Sequence, residues 1–372
     1  MKLVFTGDLS CTGKFQDVII SDKEIFSKEI LSFLDSTDYV ICNFEGPATK
    51  LENLYRTDCD VRSPENSINY FYDRNIRLFN LANNHIFDCG LEGFNETKEK
   101  IINKKGFFFG AGENLEEASK IQYLFDKKTK VSLIGICHKE GLIANQKHPG
   151  IFCDIYETEI KNKIQEAKRS SDWVIVNYHG GEEYTRYPMP SRRAKLKSYL
   201  EFGADVVVAH HPHVVQGFEQ IGKKFIFYSL GNFIFDIPQH REKMFINDGV
   251  LLELHFTKNK VTSNFVPIKI DINNQKITKS NYVSNVALSD FSNYIANWQK
   301  ECFRLVCLDE PLSSVKLKSA KVLFKTYPIL ILLGNLLKFK RLMIGKNYRP
   351  VFFGACMYFI KTIFNKNIHS AD

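Results

Sequence analysis

The 372-residue sequence is 44% hydrophobic and 25% charged, which excludes a disordered chain and provides ample interior for a buried sheet. Its nine cysteines are scattered without a Cys-x-x-Cys pair, excluding a zinc ribbon or thioredoxin-like motif and suiting a reducing compartment. The net charge of +8 is local: Pro311 to Asp372 holds eleven Lys and Arg against Asp372 alone, and the remainder holds 39 basic and 41 acidic residues. The globular part therefore lacks the basic groove of a nucleic-acid enzyme, and no nucleic-acid partner is expected.

The chain opens on an apolar run, Lys2 to Phe5, that reads as a buried strand and leads into Thr6-Gly7-Asp8. No basic segment with an apolar core and cleavage site precedes it, which argues against a secretory signal. Glu24–Leu34 reads as helical. The next runs are Tyr39 to Cys42, ending in Asn43-Phe44-Glu45, and Leu78 to Ala82, ending in Asn83-Asn84-His85 with Asp88 close behind. After a helix over Leu91–Lys104 come strands at Phe107–Phe109 and Val131–Cys137, then a helix over Glu157–Arg169. Trp173 to Val176 delivers Asn177-Tyr178-His179, and after a helix over Arg192–Glu201, Val206 to Ala209 delivers His210-His211-Pro212-His213.

Strands alternating with helices of this length imply βαβ units and a mainly parallel sheet. In such sheets the ligand site lies outside the carboxyl ends of the strands. Polar residues at five strand ends would then converge, and a set of Asp, Glu, Asn and His suits Zn, Mn or Fe.

From Lys224 the pattern changes to consecutive strands. Phe225–Leu230, Val250–Phe256 and Val261–Ile270 read as antiparallel, with a turn at Lys258-Asn259, and could form a second sheet packed on the first. The pattern stops near Ser284, dividing the chain into residues 1–284 and an extension, 285–372. Asp290 to Arg304 looks helical, and Val322–Gly345 and Val351–Phe364 are apolar and basic. Tyr327 to Leu337, flanked by Lys325 and Lys338-Phe339-Lys340-Arg341, is too short to cross a bilayer as a helix. It suits either a segment lying on an anionic membrane surface or a cap on the domain. The expected location is cytoplasmic, with peripheral contact at the inner face of the membrane.

Taken singly, the clusters have plain alternatives. Gly7-Asp8 could be a turn, Asn83-Asn84-His85 a helix start, and His179 a satisfied buried histidine. Three histidines within four residues after a buried strand are harder to explain structurally. In an extended segment His211 and His213 would place both rings on one face, within reach of neighbouring metals. Asp88 could orient His85. His138 could line the cleft, whereas His148, His240, His255 and His369 lack such context.

In order and spacing, these motifs resemble the CapA type of capsule or poly-γ-glutamate synthesis protein, a branch of the calcineurin-like metallophosphoesterases. They are Thr6-Gly7-Asp8, Asn43-Phe44-Glu45-Gly46-Pro47, Ala82-Asn83-Asn84-His85, His179 with Gly181 and Glu183-Tyr184, His210 to Gln216, and Tyr228 to Asp236. The resemblance covers about residues 1–270. It implies an α/β, four-layer αββα fold with a dinuclear centre of divalent transition metals (Mn, Fe or Zn). By position, Asp8, Glu45, Asn84, His179, His211 and His213 resemble the metal ligands, Glu45 standing where a carboxylate bridges both metals. His85 stands where the general acid or phosphate-contacting histidine is found, and Asn43, Glu183, His210 and Asn232 are expected to contact substrate. In two-metal hydrolysis of this kind a metal-bound hydroxide attacks phosphorus in line. The implied function is a phosphoesterase-like hydrolase acting on a phosphorylated or polymer-linked substrate in surface-polymer synthesis. The alternative is a non-catalytic docking factor on the same fold. Ser10 departs from the broader pattern, which has a histidine there, and Gly180 and Ala209 also differ.

Overall fold

The computed structural model describes residues 1–54, 60–281, 291, 293–305, 350–351 and 353–358. The chain begins with β1 (Lys2–Leu9), α1 (Phe15–Ile20), α2 (Lys28–Asp35) and β2 (Tyr39–Phe44), followed by α3 (Ser67–Tyr72), β3 (Ile76–Asn80), α4 (Gly90–Asn103) and β4 (Phe107–Phe109). Strands β1 to β4 lie side by side in parallel. Helix α2 starts later than the pattern from Glu24 suggested. Phe26 bridges to Ile277, and the Ser27 hydroxyl then caps the helix by accepting from the Ile30 N–H.

The chain next crosses to another sheet. Beyond β5 (Ala111–Gly112) and α5 (Leu115–Ala118) come β6 (Gln122–Phe125), β7 (Lys130–Cys137), β8 (Gly150–Ile151, paired with β5), α6 (Glu157–Ser170), β9 (Trp173–His179), α7 (Pro190–Phe202), β10 (Val206–His210), β11 (Val215–Ile221) and β12 (Lys224–Leu230). This six-stranded sheet has the order β11-β12-β10-β9-β7-β6, parallel except at its two edges.

The chain then returns to the first sheet. β13 (Asn232–Ile234) pairs in parallel with the end of β1, and β14 (Asp248–Phe256) runs antiparallel to its start. β15 (Val261–Asp271) and β16 (Lys276–Lys279) extend that edge. The expectation that the late strands form their own sheet is thus corrected: β12 joins the second sheet and β14 to β16 the first. The early parallel strands are split likewise, because the succession breaks after β4.

Two-residue alternation explains the layering. Val4 faces the helices beside Phe15, Ile30 and Phe94, whereas Leu3 and Phe5 face the other sheet. In β10, Val206 and Val208 enter the core between the sheets, and Val207 packs on Leu196 and Tyr199 of α7. Three cores separate four layers, αββα, the arrangement that the resemblance implied.

Beyond residue 281, α8 (Tyr294–Arg304) lays Tyr294, Trp298 and Cys302, with Val351 and Ala355, on Tyr184, Val214 and Ile246. Tyr327–Leu337 and the basic residues after it lie outside the described residues. No helix among the described residues is long and apolar enough to cross a membrane.

Candidate metal centre

Two rows of residues meet where the parallel strands end. In the first sheet Asp8 is in register with Asn43, and Asn43 with Asn80. In the second, Cys137, His179 and His210 share a register. Gly7 admits the close approach of β13: a Cβ there would lie 2.1 Å from the Gly231 carbonyl oxygen. That approach places Asn232 beside Asp8.

Asparagines hold the ligand candidates. Nδ2 of Asn43 lies 2.8 Å from Asp8 Oδ1 and 3.1 Å from His179 Nδ1, while its Oδ1 accepts from Asn80 at 3.0 Å. Oδ1 of Asn232 lies 2.9 Å from His213 Nδ1, and its Nδ2 donates to the Ile246 carbonyl. Asn43 and Asn232 were expected to contact substrate. Both are fully buried, and their amides contact Asp8, His179 and His213. His210 is buried, with Nδ1 3.6 Å from Asp8 Oδ1, and burial pushes its imidazole down to about 3.

His211 and His213 are not extended, contrary to expectation. Their φ values are 97° and 57°, a left-handed backbone that non-glycine residues rarely adopt and that concentrates at functional sites. The His211 N–H donates to Asp8 Oδ2 at 3.1 Å and helps hold the turn. As a result the two rings reach different partners. Glu45, His179 and His211 offer ligand atoms within 4.8 Å of one another, and Asp8, Glu45 and His213 do the same. Glu45 belongs to both groups. Oδ1 of Asn84 stands 2.7 Å from His179 Nε2, beside the first group.

The electrostatics call for a cation. Both Glu45 oxygens are buried without a hydrogen-bond partner among the described residues. Burial, then the charges of Asp8, Glu183, Asp88 and Glu140, push its carboxyl well above the usual range. Burial raises Asp8 to about 6 despite the opposing effect of His213, and it drives His179 well below, and His213 below, the ordinary imidazole value. A divalent cation favours the carboxylate form and the free imidazole lone pair together. A mixed nitrogen and oxygen set of this kind could hold one or two divalent transition metals.

His85 stands apart from both groups. Its Nδ1 lies 2.7 Å from Asp88 Oδ2, and its side chain is 17% exposed. Glu183 is half-buried, near enough for its charge to act on Glu45 and His213. The Ser10 hydroxyl donates to the Val61 carbonyl at 2.7 Å, serving the neighbouring loop. Sequence reasoning missed His240 and Glu140. The His240 ring packs 4.7 Å from that of His213 and is buried, and Glu140 Oε2 lies 3.9 Å from His211 Nε2. Glu140 does follow the Val131–Cys137 run, so its signal was there to be read, whereas His240 follows Pro238-Gln239 rather than a strand end.

Residues 2–237 match the family described as bacterial capsule synthesis protein PGA_cap. The chain belongs to this family. The capsule biosynthesis protein CapA of Bacillus anthracis is 32% identical over 241 residues, covering 62% of this chain and 58% of that protein. The PGA biosynthesis protein CapA of Bacillus subtilis (strain 168) is 32% identical over 275 residues, covering 72% and 70%. The chain thus spans well under the full length of either relative. Among solved structures, a phosphatase from Mycoplasma pneumoniae aligns over 79% of this chain and 98% of its own, with a TM-score of 0.46 and 14% identity. The family match includes every residue of both ligand groups and ends before α8.

Proposed function

We propose that this protein is a metal-dependent, phosphoesterase-like hydrolase acting in the synthesis of a bacterial capsule or related surface polymer. Its substrate in this reading is phosphorylated or polymer-linked. The observation that carries the reading is Glu45, a buried carboxyl with both oxygens unpartnered, shared by two groups of nitrogen and oxygen ligands. Asp8, Glu45 and His213 would hold one divalent cation (Mn, Fe or Zn), and Glu45, His179 and His211, with Asn84, the other. When bound, the metals supply Lewis-acid and water-activating chemistry.

The chain's own residues do the rest. With Nδ1 of His85 engaged by Asp88, Nε2 is the nitrogen left to give a proton to the leaving-group oxygen. Asn43 and Asn232 fix the ligand rings and the Asp8 carboxyl, so little reorganisation is needed during turnover.

A second reading keeps the fold as a docking platform without turnover. Ser10 favours it, since its hydroxyl is committed to Val61 and β1 then supplies a single side-chain ligand, Asp8. Elemental analysis of the purified protein, beside hydrolysis of bis-4-nitrophenyl phosphate and 4-nitrophenyl phosphate, separates the two. Bound metal with turnover supports the hydrolase, and bound metal with no turnover of any phosphoester or polymer-linked substrate supports the platform. Absence of metal overturns the hydrolase.

The same proposal places the protein at the cytoplasmic face of the membrane, its basic tail against anionic lipid. Full-length protein should then sediment with anionic liposomes at low salt, and not with neutral ones.

A further inference from the structure

A second polar cluster lies one strand away from the ligand residues. β7 runs beside β9 with Cys137 opposite His179, and the His138 N–H donates to the His179 carbonyl at 2.8 Å. Gly180 makes room here, since a Cβ on it would lie 2.5 Å from that of His138. A cavity of about 160 Å³ opens at this point, lined by His138, Gly181, Glu182, Arg192 and Lys195, with Pro350 of the C-terminal segment among its walls.

Arg192 is 7% exposed, and its Nε has no hydrogen-bond partner among the described residues. Its Nη1 contacts the Tyr178 hydroxyl and lies 3.6 Å from Asp154 Oδ2. Lys195 Nζ lies 3.4 Å from the same oxygen, His138 Nδ1 is 2.9 Å from it, and the Tyr178 hydroxyl donates to it at 3.0 Å. One carboxylate therefore faces two permanent cations and a histidine. Of the other acids nearby, Glu182 is buried, accepts from the Met189 N–H, and is pushed by burial up to about 7, which weakens it as a counter-charge. Glu140 also acts on Arg192, but its carboxylate is turned toward His211.

The local helix reinforces the excess of positive charge. α7 begins at Pro190 with no side-chain cap and no acid in its first turn. Arg192 and Lys195 sit in its first two turns, where the helix dipole disfavours cations and attracts anions. An unpartnered guanidinium nitrogen in such a place suits an oxyanion, which Arg binds through paired N–H groups.

We propose that this cavity is a subsite for an anionic substituent of the substrate, a carboxylate or a phosphate group, gripped by Arg192 and Lys195 beside the metal centre. It deepens the hydrolase reading and rests on that reading for its role in turnover, whereas its occupancy is measured by binding alone.

The test is calorimetric titration of full-length, metal-loaded protein with glutarate and, separately, with inorganic phosphate. Wild type is compared with Arg192→Gln and with Lys195→Gln, the latter at a side chain that is 37% exposed. At least one anion should bind wild type and weaken about tenfold or more in each variant, the worth of one charge-assisted hydrogen bond, with metal content unchanged. The anion that responds tells a carboxylate from a phosphate. Equal binding by wild type and both variants, or no binding of either anion to wild type, overturns the subsite. If Arg192→Gln does not fold, Lys195→Gln decides alone. A wild type that binds the anion yet hydrolyses no phosphoester would fail the function and leave the subsite standing.

Discussion

Nδ1 of His211 faces Nε2 of His179 at 3.2 Å, deep in the seam between the two sheets. Without a cation, a proton on His179 Nε2 is held between Asn84 Oδ1, 2.7 Å away, and His211 Nδ1; with one, both imidazoles can turn lone pairs on it. The first state leaves the Glu45 carboxyl without a hydrogen bond among the described residues, and the second satisfies it.

Glu45 and His211 should therefore behave differently on substitution. Glu45 belongs to both ligand groups, so Glu45→Gln should abolish binding of every metal equivalent. His211→Ala touches one group and should spare the metal held by Asp8, Glu45 and His213. Elemental analysis of the purified variants, with circular dichroism to verify folding, reads the difference. Stoichiometric metal retained in the His211→Ala, His213→Ala double variant would sink the ligand assignment.

His85→Ala should lower turnover by roughly 10²–10⁴-fold, the usual range for a lost general acid. Metal content should not change, since His85 is outside both ligand groups. Loss of metal in parallel with activity would reassign His85 as a ligand.

Asp8 sets a pH dependence. Burial raises its carboxyl from 3.8 to about 6 in metal-free protein, so the fold favours the neutral form. This contribution to stability is complete below about pH 4 and is lost as pH rises through about 6. Metal reverses the preference, because the cation requires the carboxylate. Affinity should weaken below pH 6 by about tenfold per pH unit for each proton displaced. Thermal melts of metal-free wild type and Asp8→Asn between pH 4 and 8 test the first part, with wild type losing ground relative to the variant as pH rises. Metal titrations over the same range test the second, and a pH-independent affinity would contradict it.

Glu301 of α8 is 4% exposed and binds both Arg186 and Arg304, and Arg304 donates to the Tyr184 carbonyl at 2.8 Å. Removing the acid leaves two cations without it, so Glu301→Ala should destabilise by about 3 kcal/mol, the low end for breaking a buried pair because Arg186 is partly exposed. Denaturant melts give the value. A change under about 0.5 kcal/mol, as for an ordinary surface substitution, would show that α8 does not brace the loop carrying Glu183 and Tyr184.

Much of the centre was legible in one dimension. A strand buried on both faces must be apolar throughout, so Asp8, Glu45, His179 and the His210–His213 run stood out as polar groups ending apolar runs. The four-layer fold was implied by the family resemblance that those motifs carry. The contacts of Asn43 and Asn232 with Asp8, His179 and His213 were not legible, because a buried amide gives no sign in sequence of which side chain it will meet.

What the sequence determined by itself is the strand ends, the residue types gathered there, and a family membership that rests on their spacing. Local periodicity reports which residues are buried, and the chemistry of the ends follows from it. The tertiary structure alone decided which sheet each strand joins, the left-handed turns at His211 and His213, the packing of His240 on His213, and the seating of α8 on Tyr184. All of these depend on contacts between residues far apart in the chain, and a side chain's own neighbours in sequence carry no record of them.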